Sequence, residues 1–257
     1  MAANTETIGL LSIVPRAGQQ GLGRRYANQL LARLRPDDLA LLEQHLVPVT
    51  FAVDDVIARA GDPIETICFL EDGIAGVLDA LEGDRRYAVG LVGNEGFIGW
   101  PLLLGDDRSP WNVVMRAERG HAFRLPAEVL LSAIETSPTL RLTCLRFAQA
   151  FMLQMSRTIV SALAHSIERR MARWILLYHD RVREDDICMT HEEFRLMLGV
   201  RRSSVADALH RLEDEKAIKT LRGRVIVRDR AKLISLAADT YGFAEQEYRR
   251  LLQSPIE

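Results

Sequence analysis

The chain has 257 residues, 48% of them hydrophobic, and its 33 basic and 35 acidic side chains give a formal net charge of −2. That length bounds it at one or two domains with real cores, and no apolar run approaches a membrane span. The three cysteines, Cys68, Cys144 and Cys188, are far apart and odd in number, which excludes a disulfide framework, a metal-ligand spacing and the four thiolates of an iron–sulfur centre.

These thiols read as buried small hydrophobes. The charge is uneven along the chain. Residues 168–232 carry 16 basic and 12 acidic side chains, a net of +4, whereas residues 1–167 carry −4 and residues 233–257 carry −2. A positive segment in an otherwise acidic chain is an electrostatic footprint for nucleic acid.

The start, "MAANTETIGLLSIVPRAG", lacks a basic n-region and a long apolar h-region, so it is not read as a signal peptide, and the chain is expected to be cytoplasmic. Residues 1–22 are expected to form a flexible arm. "RPDDLALLEQHL", residues 35–46, reads as a short amphipathic helix, with Pro36 in its first turn and Asp37 and Asp38 at the positive end of its dipole. From Pro48 to Leu125, short β-type runs recur: "VTFAV", "TICFL", "IAGVLDA", "RYAVGLV", "WNVVMRA" and "HAFRL". Turn signals separate them, among them Gly61-Asp62-Pro63, Asp72-Gly73 and Gly93-Asn94, and this spacing indicates an all-β barrel or sandwich. Gly90, Gly93, Gly96 and Gly99 do not spell a nucleotide fingerprint between strand and helix. They read as turns lining a pocket in that barrel.

From Pro126 the texture turns helical. Leu145, Ala148, Met152, Met155, Ile159 and Ala162, continuing to Ser166, alternate spacings of three and four, which is a heptad seam. Its length favours burial against a second copy of the chain, with an intrachain core helix as the alternative. "HSIERRMARWILLYHDRV" then starts a new helix.

"MTHEEFRLMLGVRRSSVADALHRLEDE", residues 189–215, holds two helices around a short turn. Thr190 and Glu193 form a capping box, Phe194, Met197 and Leu198 an apolar stripe, and Gly199 a left-handed stop. Val205, Ala208, Leu209 and Leu212 form a second stripe at i, i+3, i+4, i+7. This is the layout of a helix-turn-helix. Arg201, Arg202, Ser203, Ser204, Asp207, His210 and Arg211 are the candidate DNA contacts of the second helix, with Arg202 suited to guanine O6 and N7 and Asp207 either accepting from cytosine N4 or repelling phosphate. "AIKTLRGRVIVRD", residues 217–229, reads as a two-stranded hairpin turning at Arg222-Gly223, a wing whose Lys219, Arg222 and Arg224 suit phosphates. The alternative is an ordinary helical hairpin with a solvated face.

His191 beside Glu192 and Glu193 lacks the i, i+4 histidine of a helical zinc site, so no metal site is expected. No nucleophile–base pairing and no Walker motif is visible, and the chain does not read as an enzyme.

Barrel, long helix and winged helix-turn-helix, in that order, resemble the Crp/Fnr family of bacterial transcription regulators. "AGDPIETICFLEDG", "GNEGFIG", "DDRSPWNVV", "RRMARWILLYHDRV", "THEEFRLMLGVRRSSVADALHRLE" and "RGRVIVRDRAKL" carry the resemblance, which spans residues 35–235. "LVGNEGFIGWPLLLGDDRSPW" and the tail "YGFAEQEYRRLL" look like one branch of that family. The resemblance implies an α+β chain: a jelly-roll barrel (double-stranded β-helix) of the cyclic-nucleotide-binding type over residues 23–137, a dimerisation helix over 138–166, a winged helix-turn-helix over 167–232 and a helical extension over 233–257. It implies a homodimer on double-stranded DNA with a near-palindromic site, half-sites about one helical turn apart, RNA polymerase as a further partner, and no membrane.

The family's cyclic-AMP-responsive members have a Gly-Glu pair for the ribose and an Arg-Ser pair for the cyclic phosphate. Gly99, Arg108 and Ser109 match, but Trp100 stands at the glutamate position, the segment between is shorter by two residues, and Pro110 replaces a small residue. Trp100 cannot accept a hydrogen bond from a ribose hydroxyl. The expected effector is therefore another small anionic or nucleotide ligand held at Gly99, Trp100, Arg108 and Ser109, or none. Arg108 is either an anion clamp or a structural arginine satisfying carbonyls. On the recognition helix Arg202 is kept, Ser203 replaces a glutamate and Asp207 replaces an arginine, so the DNA target should differ from the family consensus. A cyclic-AMP-responsive regulator and a ligand-binding protein with a degenerate helix-turn-helix are the alternative functions.

Overall fold

The computed structural model describes residues 25–82 and 85–253, and the expected arm over residues 1–22 lies outside them. The chain forms two compact units divided between Met155 and Ser156.

The first unit opens with α1 (Pro36–Glu43) and eight strands: β1 (Val47–Phe51), β2 (Val56–Ala58), β3 (Thr66–Leu70), β4 (Ile74–Leu81), β5 (Arg85–Val92), β6 (Phe97–Ile98), β7 (Asn112–Arg116) and β8 (Gly120–Pro126). They build two antiparallel four-stranded sheets, ordered β1-β8-β3-β6 and β2-β7-β4-β5. This is the expected double-sheet jelly roll. Ile67, Phe69, Ile74, Leu91, Phe97, Met115 and Leu125 fill its interior. The Asp72-Gly73 turn needs glycine twice over: Gly73 has φ +78°, and a Cβ there would lie 2.8 Å from the Gly120 backbone. Ahead of α1, the side chain of Asn28 is fully buried. Its amide donates to the Leu70 and Gly96 carbonyls, and its oxygen accepts from the Leu30 and Leu31 amides. The first two bonds fasten the segment before α1 to the barrel, and the other two hold the segment's own turn.

Two helices follow, α2 (Ala127–Thr136) and α3 (Pro138–Ala164). Ser137 caps α3, its hydroxyl accepting from the Leu140 amide and donating to Asp38 at 2.5 Å, while Thr139 donates to the same carboxylate at 2.6 Å. A buried aspartate of α1 thus fixes where α3 begins. On its barrel side α3 buries Leu140, Cys144, Phe147 and Phe151, and the Gln154 side-chain amide bonds both the amide and the carbonyl of Leu91 in edge strand β5. The unit division falls inside α3 rather than at its start, because these side chains tie its first half to the barrel.

The second unit continues through α4 (Ile167–His179), β9 (Asp186–Cys188), α5 (His191–Leu198), α6 (Arg202–Asp214), β10 (Ile218–Leu221), β11 (Arg224–Val227), α7 (Arg230–Ala237) and α8 (Phe243–Gln253). The expected two-stranded wing is a three-stranded antiparallel sheet, β10-β11-β9, in which Ile187 pairs with Val225. Tyr178, Ile187, Phe194, Val205, Leu212 and Val225 make its core. α7 starts at Arg230, capped by Asp229 accepting from the Lys232 amide, so the boundary read at 232/233 cuts a helix. The C-terminal extension is packed rather than appended. Tyr241 donates to Asp180 at 2.8 Å, Arg230 pairs with the same carboxylate at 2.6 Å, and Arg157 of α3 sits 4.1 Å over the Phe243 ring.

Candidate nucleic-acid interface and effector pocket

The helix pair forms as its spacing predicts. The Thr190 hydroxyl accepts from the Glu193 amide at 3.1 Å, Gly199 ends α5 at φ +65°, and one oxygen of the buried Glu193 carboxylate takes the Tyr178 hydroxyl at 2.6 Å. Val205, Ala208, Leu209 and Leu212 of α6 are buried. Turning that row inward leaves Arg201, Arg202, Ser203, Asp207, His210 and Arg211 exposed, with Ser204 half-buried. Arg201 stands at the N-cap with no side-chain cap bond, so the first-turn amides of α6 keep their donors for an outside acceptor.

The wing turns at Gly223, φ +73°, and carries exposed Lys219 and Arg222. Two of the expected DNA contacts instead hold carboxylates of their own unit: Arg224 donates to Asp186 of β9 at 2.8 Å, and Arg211 pairs with Glu168 of α4. The Asp186 carboxylate raises the Arg224 pKa further. Arg228, which the sequence reading passed over, is exposed just beyond the wing.

A cavity of ≈ 260 Å³ opens in the barrel. Gly99, Trp100 and Ser109 line it; Arg108 does not. The Arg108 guanidinium donates to the Gly61 carbonyl at 2.7 Å on the exposed rim, the placement of a structural arginine. The Ser109 hydroxyl donates to the Trp111 carbonyl at 2.7 Å. The regular glycines divide by role. Gly99 lines the cavity at φ +104°, but Gly90 and Gly96 are seats for α3, since a Cβ would come within 2.7 Å of the Phe151 ring at the first and 2.1 Å of the Phe147 ring at the second. Gly93 does not line the cavity either. Of the four glycines expected as pocket turns, only Gly99 lines the cavity.

Of the seam residues on α3, Met152 is 40% and Ile159 60% exposed, Ala162 is exposed, and Leu145 and Met155 are half-buried. Ala148, at 1%, faces the barrel and leaves the row. Leu163, 85% exposed, joins it, so the open apolar row runs Met152, Ile159, Leu163, with half-buried Leu145 at its start.

A family model described as a cyclic nucleotide-binding domain matches residues 48–137, and one described as a Crp-like helix-turn-helix domain matches residues 169–236. The transcriptional activator protein FnrL of Cereibacter sphaeroides is 26% identical over 217 residues, 81% of this chain and 87% of that protein. Among solved structures, FixK2 of Bradyrhizobium japonicum superposes with TM-score 0.66 at 14% identity, over 75% of this chain and 98% of that one. TTHB099, a CRP-family regulator of Thermus thermophilus, gives 0.58 at 22%, over 74% and 96%. At these identities the structures speak for the fold. The two sequence models, met one after the other in a single chain, carry the assignment further: this chain belongs to the Crp/Fnr family of transcription regulators, whose helix-turn-helix binds DNA.

Proposed function

We propose that the chain acts as a homodimer on a near-palindromic DNA site, one α6 in each of two major grooves about one helical turn apart. Arg202, Ser203, Asp207 and His210 reach base edges in this reading. Arg201, Ser204, Lys219, Arg222 and Arg228 take phosphates, while Arg211 and Arg224 stay in their ion pairs and hold α4 and β9 in place. The row of half-buried Leu145 and exposed Met152, Ile159 and Leu163 of α3 meets its copy. The barrel is the sensor unit. Such a dimer works where the chromosome is, in the cytoplasm, meets RNA polymerase there, and needs no catalytic activity of its own.

The observation that carries this reading is the first turn of α6: exposed, uncapped by any side chain and flanked by Arg201 and Arg202. The test is an anisotropy titration of the protein against its own upstream DNA at 50 and 200 mM salt. Contacts to about six phosphates cost roughly a thousandfold in affinity across that range. Weak binding that ignores salt would instead mark the helix-turn-helix as a packing unit. A cyclic-AMP response is disfavoured, because the guanidinium that would clamp the cyclic phosphate is bonded to Gly61 outside the cavity lining.

A further inference from the structure

We infer that the barrel cavity binds a planar aromatic molecule of one or two rings, uncharged or cationic, in preference to a phosphate-bearing anion. The inference rests on the reading of the barrel as sensor unit and names its ligand class. Its size fits: ≈ 260 Å³ exceeds the roughly 150 Å³ that admits benzene in an engineered apolar cavity, and falls below the ~300–1,000 Å³ of drug-sized sites.

The walls fit as well. Trp100 and Trp111 line the cavity with ring centroids 5.4 Å apart, and Val, Ile and Pro residues stand among polar groups around the rest of it. Indole faces carry negative quadrupole potential, so they stack flat rings and attract cations. The charged lining is Arg59 against Asp62 and Glu65, all three exposed. An anion entering there meets two carboxylates and the Arg59 guanidinium, while the Arg108 guanidinium on the rim is held by the Gly61 carbonyl. The hydroxyl proton of Ser109 is already given to the Trp111 carbonyl, so it adds no donor for an anion.

The same tryptophan gives occupancy a route outward. Trp100 also contacts Phe151 of α3 at 5.5 Å between centroids, and Phe151 precedes Met152 of the open apolar row. A ring stacked on the Trp100–Trp111 wall therefore presses on the side chain that seats α3 against the barrel.

The test is calorimetric titration of the full chain with one ring system in three charge states, indole, tryptamine and indole-3-acetate, alongside cyclic AMP. Indole and tryptamine should bind about tenfold or more tighter than indole-3-acetate, with cyclic AMP no better. Trp111→Ala should abolish that binding. Asp62→Asn with Glu65→Gln, both exposed and safe for folding, should erase the advantage of tryptamine over indole-3-acetate. Preference for indole-3-acetate or cyclic AMP overturns the ligand class and leaves the sensor reading standing. Saturable binding of none of the four, by protein that still binds its DNA, overturns the inference while sparing the regulator. Charge preference unchanged in the double variant overturns the role given to the mouth.

Discussion

Arg202 and Asp207 leave the same helix on its exposed side and pull in opposite directions on a DNA target. A carboxylate near phosphates is costly unless a donor such as cytosine N4 meets it, so in the proposed complex Asp207 would narrow the sequences that α6 tolerates. Arg202 sits in the first turn, where side chains reach base edges. Arg202→Ala should cost about 1–3 kcal/mol at one base pair per half-site and relax specificity there. Competition against single-substituted operators reads this directly. An equal loss on every sequence would move Arg202 to the phosphates. Residue-scale partners were the least legible part of the sequence. Arg224 is claimed by Asp186, 38 positions away, and Arg108 by the Gly61 carbonyl 47 positions away. Nothing local marks either pairing, whereas the Thr190–Glu193 cap lies within one turn and could be read off.

At the scale of elements, period decided what the sequence revealed. β8 alternates over its seven residues, and β4 and β5, at eight, are long enough to read as apolar runs, but β2, β6 and β9 have three, two and three residues, too few to display any pattern. The C-terminal extension was legible as helix and silent about its partners. Those partners are buried charges. The Asp180 side chain has no exposure, pairs with Arg230 and accepts from Tyr241. Burial raises its pKa from 3.8 to about 6, against the opposing pull of Arg230. The folded state therefore holds this proton to a higher pH than the unfolded chain does. The stability that proton confers is present near pH 4 and is lost as pH rises to about 6. Wild type compared with Asp180→Asn should thus look most stable near pH 4, relatively, and lose that advantage by pH 6. Urea unfolding of the second unit, followed by Trp174 with Trp100→Phe and Trp111→Phe in both backgrounds, measures it. A gap constant from pH 4 to pH 6.5 would mean that Asp180 stays ionised throughout.

For the whole molecule, the proposed dimer rests on the outer side of α3. The heptad count found this helix but could not choose its face, because α3 is apolar on two sides: Phe147 and Phe151 go to the barrel, while Met152, Ile159 and Leu163 stay open and Leu145 is half-buried. Ala148 falls between the two and goes inward. A two-fold contact along the open row would place two α6 helices on one DNA duplex, and linking two weak half-site contacts raises the affinity for a full site by ~10²–10⁴. Ile159→Glu tests that link cleanly. At 60% exposure Ile159 can carry a charge in the single chain without unfolding it, yet in a dimer seam the charge would be buried against an apolar copy. The variant should sediment as a monomer, lose most of the ~10²–10⁴ gain on a near-palindromic site and bind an isolated half-site as the wild type does. If Ile159→Glu still sediments at twice the chain mass, the copies meet elsewhere. Should it become monomeric and keep full-site affinity, one α6 is enough and the palindrome is not needed.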